Sequence, residues 1–324
     1  MRRRLIPVTG YLWFVATAVL ALAAGCAASH NDEATASTPP LTHTPVPSAS
    51  AEPVPPSGSL SAVSSSIGEL EAMYQARVAV SAIDIGTGIS VQHREDERFG
   101  FASTLKAFAA AQFLSQVHGE DRHELMKWNR ADVDAAGYSP LTTDHVNSGL
   151  TLVELAEAAV RLSDNTAMNL VLERIGGPEG INEAFAEWGD SVTQVADIEP
   201  DLNNANVDTG ANTTTATAFT SSMVAVLGAD HLAPADKELL IDWMSANATG
   251  DTLIRAGAPT DWVVADKSGG AGPLRNDIAV VFAPEREPIV ITILTERYDR
   301  EQTYDDALVA DVATVVLEHF ASSQ

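Results

Sequence analysis

Ser103 and Lys106 stand three residues apart, close to one helical turn. On a helix such positions face the same way. A partly desolvated lysine can then act as base for the serine hydroxyl and turn it into a nucleophile. The spacing alone says little, because a surface serine and lysine fall into it often by chance. The surroundings carry more weight: Leu105, Phe108, Phe113, Leu114 and intervening alanines make 104–117 apolar nearly all round. Such a helix is expected to be buried, and burying Lys106 without a task would be costly.

Two more polar elements follow. Ser163-Asp-Asn165 lies where two predicted helices meet, and taken alone it reads as an N-cap. Lys267-Ser-Gly269 follows a predicted strand at 262–265 and reads alone as a routine strand-end turn. In this order and at these separations, S-x-x-K, S-D-N and K-S-G resemble the S-x-x-K, S-D-N and K-T/S-G set of penicillin-recognising enzymes. The eight histidines are scattered; His118 and His123 lie five apart, without an HExxH pattern or a cysteine partner, so no metal is expected.

These motifs need a scaffold, and the chain divides into three stretches. Residues 1–25 read as an export signal: Arg2, Arg3 and Arg4, an apolar run over 11–22, then Ala23, Ala24 and Gly25. That run is short for a membrane span. Cys26, the only cysteine, follows Leu22-Ala-Ala-Gly, which resembles a bacterial lipobox with its leucine one place further upstream than is commonest. Lipidation of Cys26 and anchoring to the outer face of a membrane are expected, or a periplasmic or secreted location without the anchor. Residues 26–66 are rich in Pro, Ser and Thr and nearly devoid of large apolar side chains, which predicts a disordered tether. Residues 67–324 have globular composition. Forty-four acidic against 19 basic residues give a formal charge of −25, which repels phosphate backbones and argues against a nucleic-acid partner.

Within 67–324 the pattern predicts a helix at 68–76, strands at 78–85 and up to 92, and a helix at 104–117. A capping box at Thr151 and Glu154 opens another helix. Further helices are expected at 165–174, 178–188, 213–227 and 235–245, strands at 262–265, 278–282 and 289–295, and a last helix at 303–320. Strands at both ends and helices between predict an α/β fold (an α+β sandwich): an antiparallel sheet built from both ends of the domain and flanked by helices, plus an all-helical lobe. The cleft between the parts is the natural site.

The segments "HREDERFGFASTLKAFAAA", "YSPLTTDHV", "RLSDNTAMNLVLERIGGP", "EPDLN", "NTTTATAF", "ATGDTLIRAGAP" and "WVVADKSGG" resemble class A β-lactamases, in the family's order and across nearly the whole globular stretch. The resemblance implies hydrolysis of the β-lactam amide through an acyl-enzyme on Ser103, with Lys106 or Glu199 as base. Ser163 would relay a proton to the leaving nitrogen, and Glu199 with Asn203 would hold the hydrolytic water. It places the oxyanion between the N–H groups of Ser103 and Gly270. Lys267, Ser268 and Arg275 would bind the substrate carboxylate, Asn165 the side-chain amide, and Tyr138 would wall the cleft. Arg255 and Asp266 would form an ion pair beneath Lys267. No metal or organic cofactor is implied, and a monomer is expected. A D,D-peptidase shares the first three motifs but lacks the Glu199–Asn203 pair; a cell-surface lipoprotein keeping the fold for binding alone is the other alternative. One departure matters. Where the family usually pairs an arginine with an aspartate across the omega loop, this chain has Asp197 and Asn212, which predicts a looser loop unless an Asp–Asn hydrogen bond replaces the ion pair. Gly270 also lacks the side-chain hydroxyl of some cephalosporin-hydrolysing relatives.

Overall fold

The computed structural model describes residues 57–323 apart from 229 and 230; the leader, Cys26 and the chain up to 56 lie outside the described residues. Helix α1 (Ser57–Tyr74) leads directly into β1 (Ala76–Asp84) and β2 (Ser90–His93). A short β3 (Phe99–Gly100) precedes α2 (Leu105–Gln116), β4 (Leu125–Met126) and α3 (Arg130–Ala136). Next come β5 (Leu150–Thr151), α4 (Leu152–Arg161), α5 (Asn165–Arg174) and α6 (Gly177–Glu187). After a long loop, β6 (Thr213–Thr214), α7 (Ala216–Leu227), α8 (Pro234–Ser245) and α9 (Ile254–Gly257) lead into β7 (Val263–Ala271), β8 (Leu274–Phe282), β9 (Ile289–Arg297) and α10 (Asp306–Ser322).

Five strands form one antiparallel sheet in the order β2-β1-β9-β8-β7, so the two ends of the domain meet as neighbours β1 and β9. Apart from their last residues, β8 and β9 are buried throughout, the pattern of a sheet covered on both faces. One face packs Val78, Val80, Ile291 and Ile293 against Leu308, Val312, Val316 and Phe320 of α10. The other meets the helical lobe, whose core joins Phe101, Phe108, Phe185 and Phe219 to Ile278 and Val280. Phe108 lies 4.6 Å from Phe219 and 5.2 Å from Phe185, within the range of favourable aromatic pairing. The expected architecture is therefore present, including the Thr151–Glu154 capping box.

Several boundaries differ from the sequence pattern. Helix α1 starts at Ser57 rather than 68 and buries Val63 and Ile67, so helix takes over from the expected tether before 66. The element expected as a helix from 213 begins as strand β6, paired to β3, before α7. Strand β7 runs to Ala271 instead of 265, and β8 begins at Leu274 instead of 278. Lys267-Ser-Gly269 consequently lies inside a strand, not in a turn, with Lys267 opposite Ile278 and Ser268 opposite Asp277. The ladder satisfies that polar backbone, where side-chain hydrophobicity gives no strand signal.

Candidate active site

The head of α2 and the turn before it pack against β7. Ser103 sits on a single 3-10 turn, Ala102–Thr104, just before α2, and remains partly exposed. The turn is entered with Ala102 at φ 48, an unusual conformation for a residue with a Cβ and one that clusters at functional sites. Strand β7 presses on this turn at Gly269. A Cβ there would stand 2.9 Å from Thr104 N and 3.1 Å from Ser103 N, so only glycine lets the two backbones approach.

Lys106, the second residue of α2, is completely buried and fully engaged. Its Nζ donates to Ser103 Oγ at 2.9 Å, Asn165 Oδ1 at 2.6 Å and Ser163 O at 3.0 Å. It also lies 2.8 Å from Glu199 Oε1, with both side chains sealed from solvent. Burial pulls the lysine below its ordinary range, opposed by the Glu199 carboxylate. The Ser103 hydroxyl is 3.5 Å from the same carboxylate oxygen.

The Ser-Asp-Asn element bridges α4 and α5. Asp164 caps α5 by accepting from Ala167 N, and its other oxygen accepts from Leu141 N and Thr142 N. The Tyr138 carbonyl accepts from Asn165 N at 2.8 Å, and the Asn165 amide donates to Ala136 O at 2.9 Å. Ser163, at φ 56, presents its hydroxyl to two lysine Nζ atoms, that of Lys267 at 3.2 Å and that of Lys106 at 3.4 Å.

Lys267 is also fully buried, and desolvation together with the nearby Lys106 charge pushes it down to about 7. Beneath it Asp266 accepts from Asn247 at 2.6 Å and pairs with Arg255, the expected structural ion pair. Burial raises the Asp266 carboxyl and, more strongly, that of Asp277 on the neighbouring strand. Ser268 Oγ lies 2.6 Å from Thr249 Oγ1. Arg275 stands opposite Gly270 in the β7–β8 ladder; its Nε meets Asp306 at 2.7 Å and its guanidinium lies 4.8 Å from the Tyr304 ring.

The omega loop closes the opposite wall. Asn203 donates to Glu199 Oε2 at 2.8 Å. The Glu199 main chain is clamped on both sides by Asn169, which accepts from its N–H and donates to its carbonyl, each at 2.9 Å. The hydrogen bond left open to Asp197 and Asn212 in place of an ion pair is present. Asn212 donates to Asp197 Oδ2 at 2.8 Å, and its Oδ1 accepts from Ala196 N at 2.9 Å and Asp197 N at 3.2 Å. A neutral amide supplies both donor and acceptor, so it replaces an ion pair with a network that also holds main chain.

Ser103, Ser163, Asn165, Glu199, Asn203, Ser268, Gly270 and Arg275 share one cavity of about 480 Å³, with Tyr138 at its rim, 60% exposed. His118 and His123 are exposed elsewhere. The β-lactamase enzyme family matches residues 62–320. The chain is 43% identical to a β-lactamase of Bacillus licheniformis over 251 residues, 77% of this chain and 81% of that protein. It is 44% identical to one of Amycolatopsis lactamdurans over 257 residues, 79% and 84% of the two. The crystal structure of a class A β-lactamase from Clostridium kluyveri superposes with a TM-score of 0.77 at 42% identity, covering 80% of this chain and 98% of that one.

The chain belongs to the β-lactamase enzyme family.

Four residues that hold or line the site of this β-lactamase-family chain have weak or no sequence signals. Asn169 stands one turn beyond Asn165 on α5, and that i, i+4 spacing was the available signal. Thr249, Tyr304 and Asp306 line the cavity from loops and the head of α10, and no local pattern marks them.

Proposed function

We propose that the chain is a class A β-lactamase in which Ser103 opens the lactam ring and Glu199 directs water onto the resulting ester. Ser103 Oγ attacks the lactam carbonyl, and its proton leaves toward Lys106 or, through water, toward Glu199. The oxyanion accepts from the backbone N–H groups of Ser103 and Gly270, each worth a few kcal/mol of barrier, on the order of 3. The Ser163 hydroxyl, between the Nζ atoms of Lys106 and Lys267, passes a proton to the departing ring nitrogen. The substrate carboxylate docks on Ser268 and Thr249, with Lys267 and Arg275 supplying positive charge. Asn165 and Asn203 address the amide substituent. Water activated by Glu199 and oriented by Asn203 then attacks the ester carbonyl, releasing the acid and restoring the Ser103 hydroxyl.

The observation that carries this reading is the Glu199 carboxylate, 3.5 Å from Ser103 Oγ by one oxygen and tied to Asn203 by the other. A D,D-peptidase of the same superfamily has no use for that pair, and a purely binding relative has no use for a fully buried Lys106 beside Ser103. The leader pattern and Cys26 support export and lipid anchoring on the outer face of the membrane, with the enzyme acting as a monomer that confers resistance to β-lactams. No described helix is long and apolar enough to cross a membrane. Turnover of a chromogenic cephalosporin, lost in Ser103→Ala, tests the assignment. Turnover retained by that variant would overturn it.

A further inference from the structure

The cleft does not end at Asn203. A second cavity of about 400 Å³ adjoins it there, between Asn204 and Ala205 of the omega loop and Gly272 and Pro273 of the β7–β8 turn. Gly100 belongs to its lining; a Cβ there would stand 2.6 Å from Ala205 Cβ and 2.8 Å from Leu274 Cδ1. Past Val207, Glu296 and Arg300 this hollow meets a third, also about 400 Å³. Four arginines line that last hollow, Arg77, Arg98, Arg297 and Arg300, against two carboxylates, Glu97 and Glu296. In a chain of net charge −25 such a concentration of positive charge stands out.

These charges are only partly cancelled from within. Glu296 is shared between Arg77 at 2.6 Å and Arg300 at 3.2 Å. Glu97 is shared between Arg77 at 3.5 Å and Arg94 at 2.9 Å, and Arg297 meets Asp305 at 3.3 Å. Arg98 has no carboxylate partner among the described residues. Its Nη1 donates to two neutral acceptors, Val192 O and Thr213 Oγ1, both at 2.9 Å, and its Nε and Nη2 donate to no described residue. Arg300 stands at the lip with a side chain 70% exposed.

We propose that this groove extends the substrate site and selects β-lactams whose acylamino side chain ends in a carboxylate, with Arg98 and Arg300 as the recognising charges. The inference rests on the β-lactamase reading. With the ring carboxylate held at Ser268, Thr249 and Arg275, the amide substituent leaves past Asn165 and Asn203, into the mouth of the groove. A guanidinium with adjacent free N–H groups matches a carboxylate in fork geometry, where a lysine would offer a point charge.

The test compares kcat/KM for two cephalosporins that differ only at the side-chain end, one a carboxylate and the other its methyl ester. Wild type is expected to favour the carboxylate, with a preference that shrinks as salt is raised. In Arg300→Ala the carboxylate-to-ester ratio should fall about three- to fivefold, the scale of an exposed ion pair, and in Arg300→Glu it should invert. Arg98→Gln should lower the ratio as well, with a melting curve to show that the Val192 and Thr213 contacts have not cost the fold. An unchanged ratio in both Arg300 variants would overturn the proposal while leaving the β-lactamase reading intact. Failure of wild type to hydrolyse either compound would overturn that reading, and the proposal with it.

Discussion

Asn212 holds Asp197 from two directions: its amide donates to the Asp197 carboxylate at 2.8 Å, and its carbonyl accepts the Asp197 N–H at 3.2 Å. Asn212 is completely buried and sits at φ 55, a conformation that asparagine tolerates better than most residues. The pair thus joins the loop carrying Glu199 to the strand residues that follow.

Replacing this amide tests the pin. Asn212→Ala leaves the Ala196 and Asp197 N–H groups without their acceptor, at a cost of about 1–3 kcal/mol. The expected result is a lower melting temperature and slower deacylation, with acylation less affected. Pre-steady-state kinetics separate the two steps. Equal slowing of both would mean that the pin serves the whole fold and not the loop.

Lys267 gives a pH dependence with a definite sign. Burial and Lys106 lower it to about 7, so its charge is lost as pH rises through that value. KM for carboxylate-bearing substrates should then rise above pH 7, and the limb should shift upward in Lys267→Arg, whose guanidinium stays charged. Stability runs the opposite way. Between about 7 and the ordinary lysine range the unfolded chain binds the extra proton, so this group adds stability as pH rises through that window. Melting curves over the same range check the second half.

Gly269 predicts a loss of activity out of proportion to its size. In Gly269→Ala the new methyl meets Thr104 N at 2.9 Å and Phe101 O at 3.0 Å, both backbone atoms that cannot swing aside. The Ser103 turn must shift relative to β7, and misplacement of that order costs about a hundredfold in rate. A kcat/KM within a few-fold of wild type would contradict the close packing.

The site was legible in the sequence where local geometry governs it. Ser103 and Lys106 follow from helical spacing and apolar surroundings, and the capping box from two residues three apart. Glu199 and Asn203 were legible only through resemblance, because their loop carries little regular structure and is held by Asn169 and Asn212 from elsewhere. The length of β7 was not legible. Lys267 and Ser268 interrupt the apolar pattern, and the strand persists there because β8 supplies its hydrogen bonds. Thr249 reaches Ser268 across a tertiary contact that no spacing encodes. Charge counting at Asp197 and Asn212 left two readings open, a looser loop or an Asp–Asn hydrogen bond, and the main-chain donors that favour the bond come from the packed loop rather than from any local pattern.

The most direct test of the mechanism is the intact mass of Glu199→Gln followed over time with a good substrate of the wild-type enzyme. An adduct of one substrate mass should build up and persist, because Lys106 remains to take the Ser103 proton while the ester finds no base to activate water. Release of product at the wild-type rate from that variant would contradict the role given to Glu199.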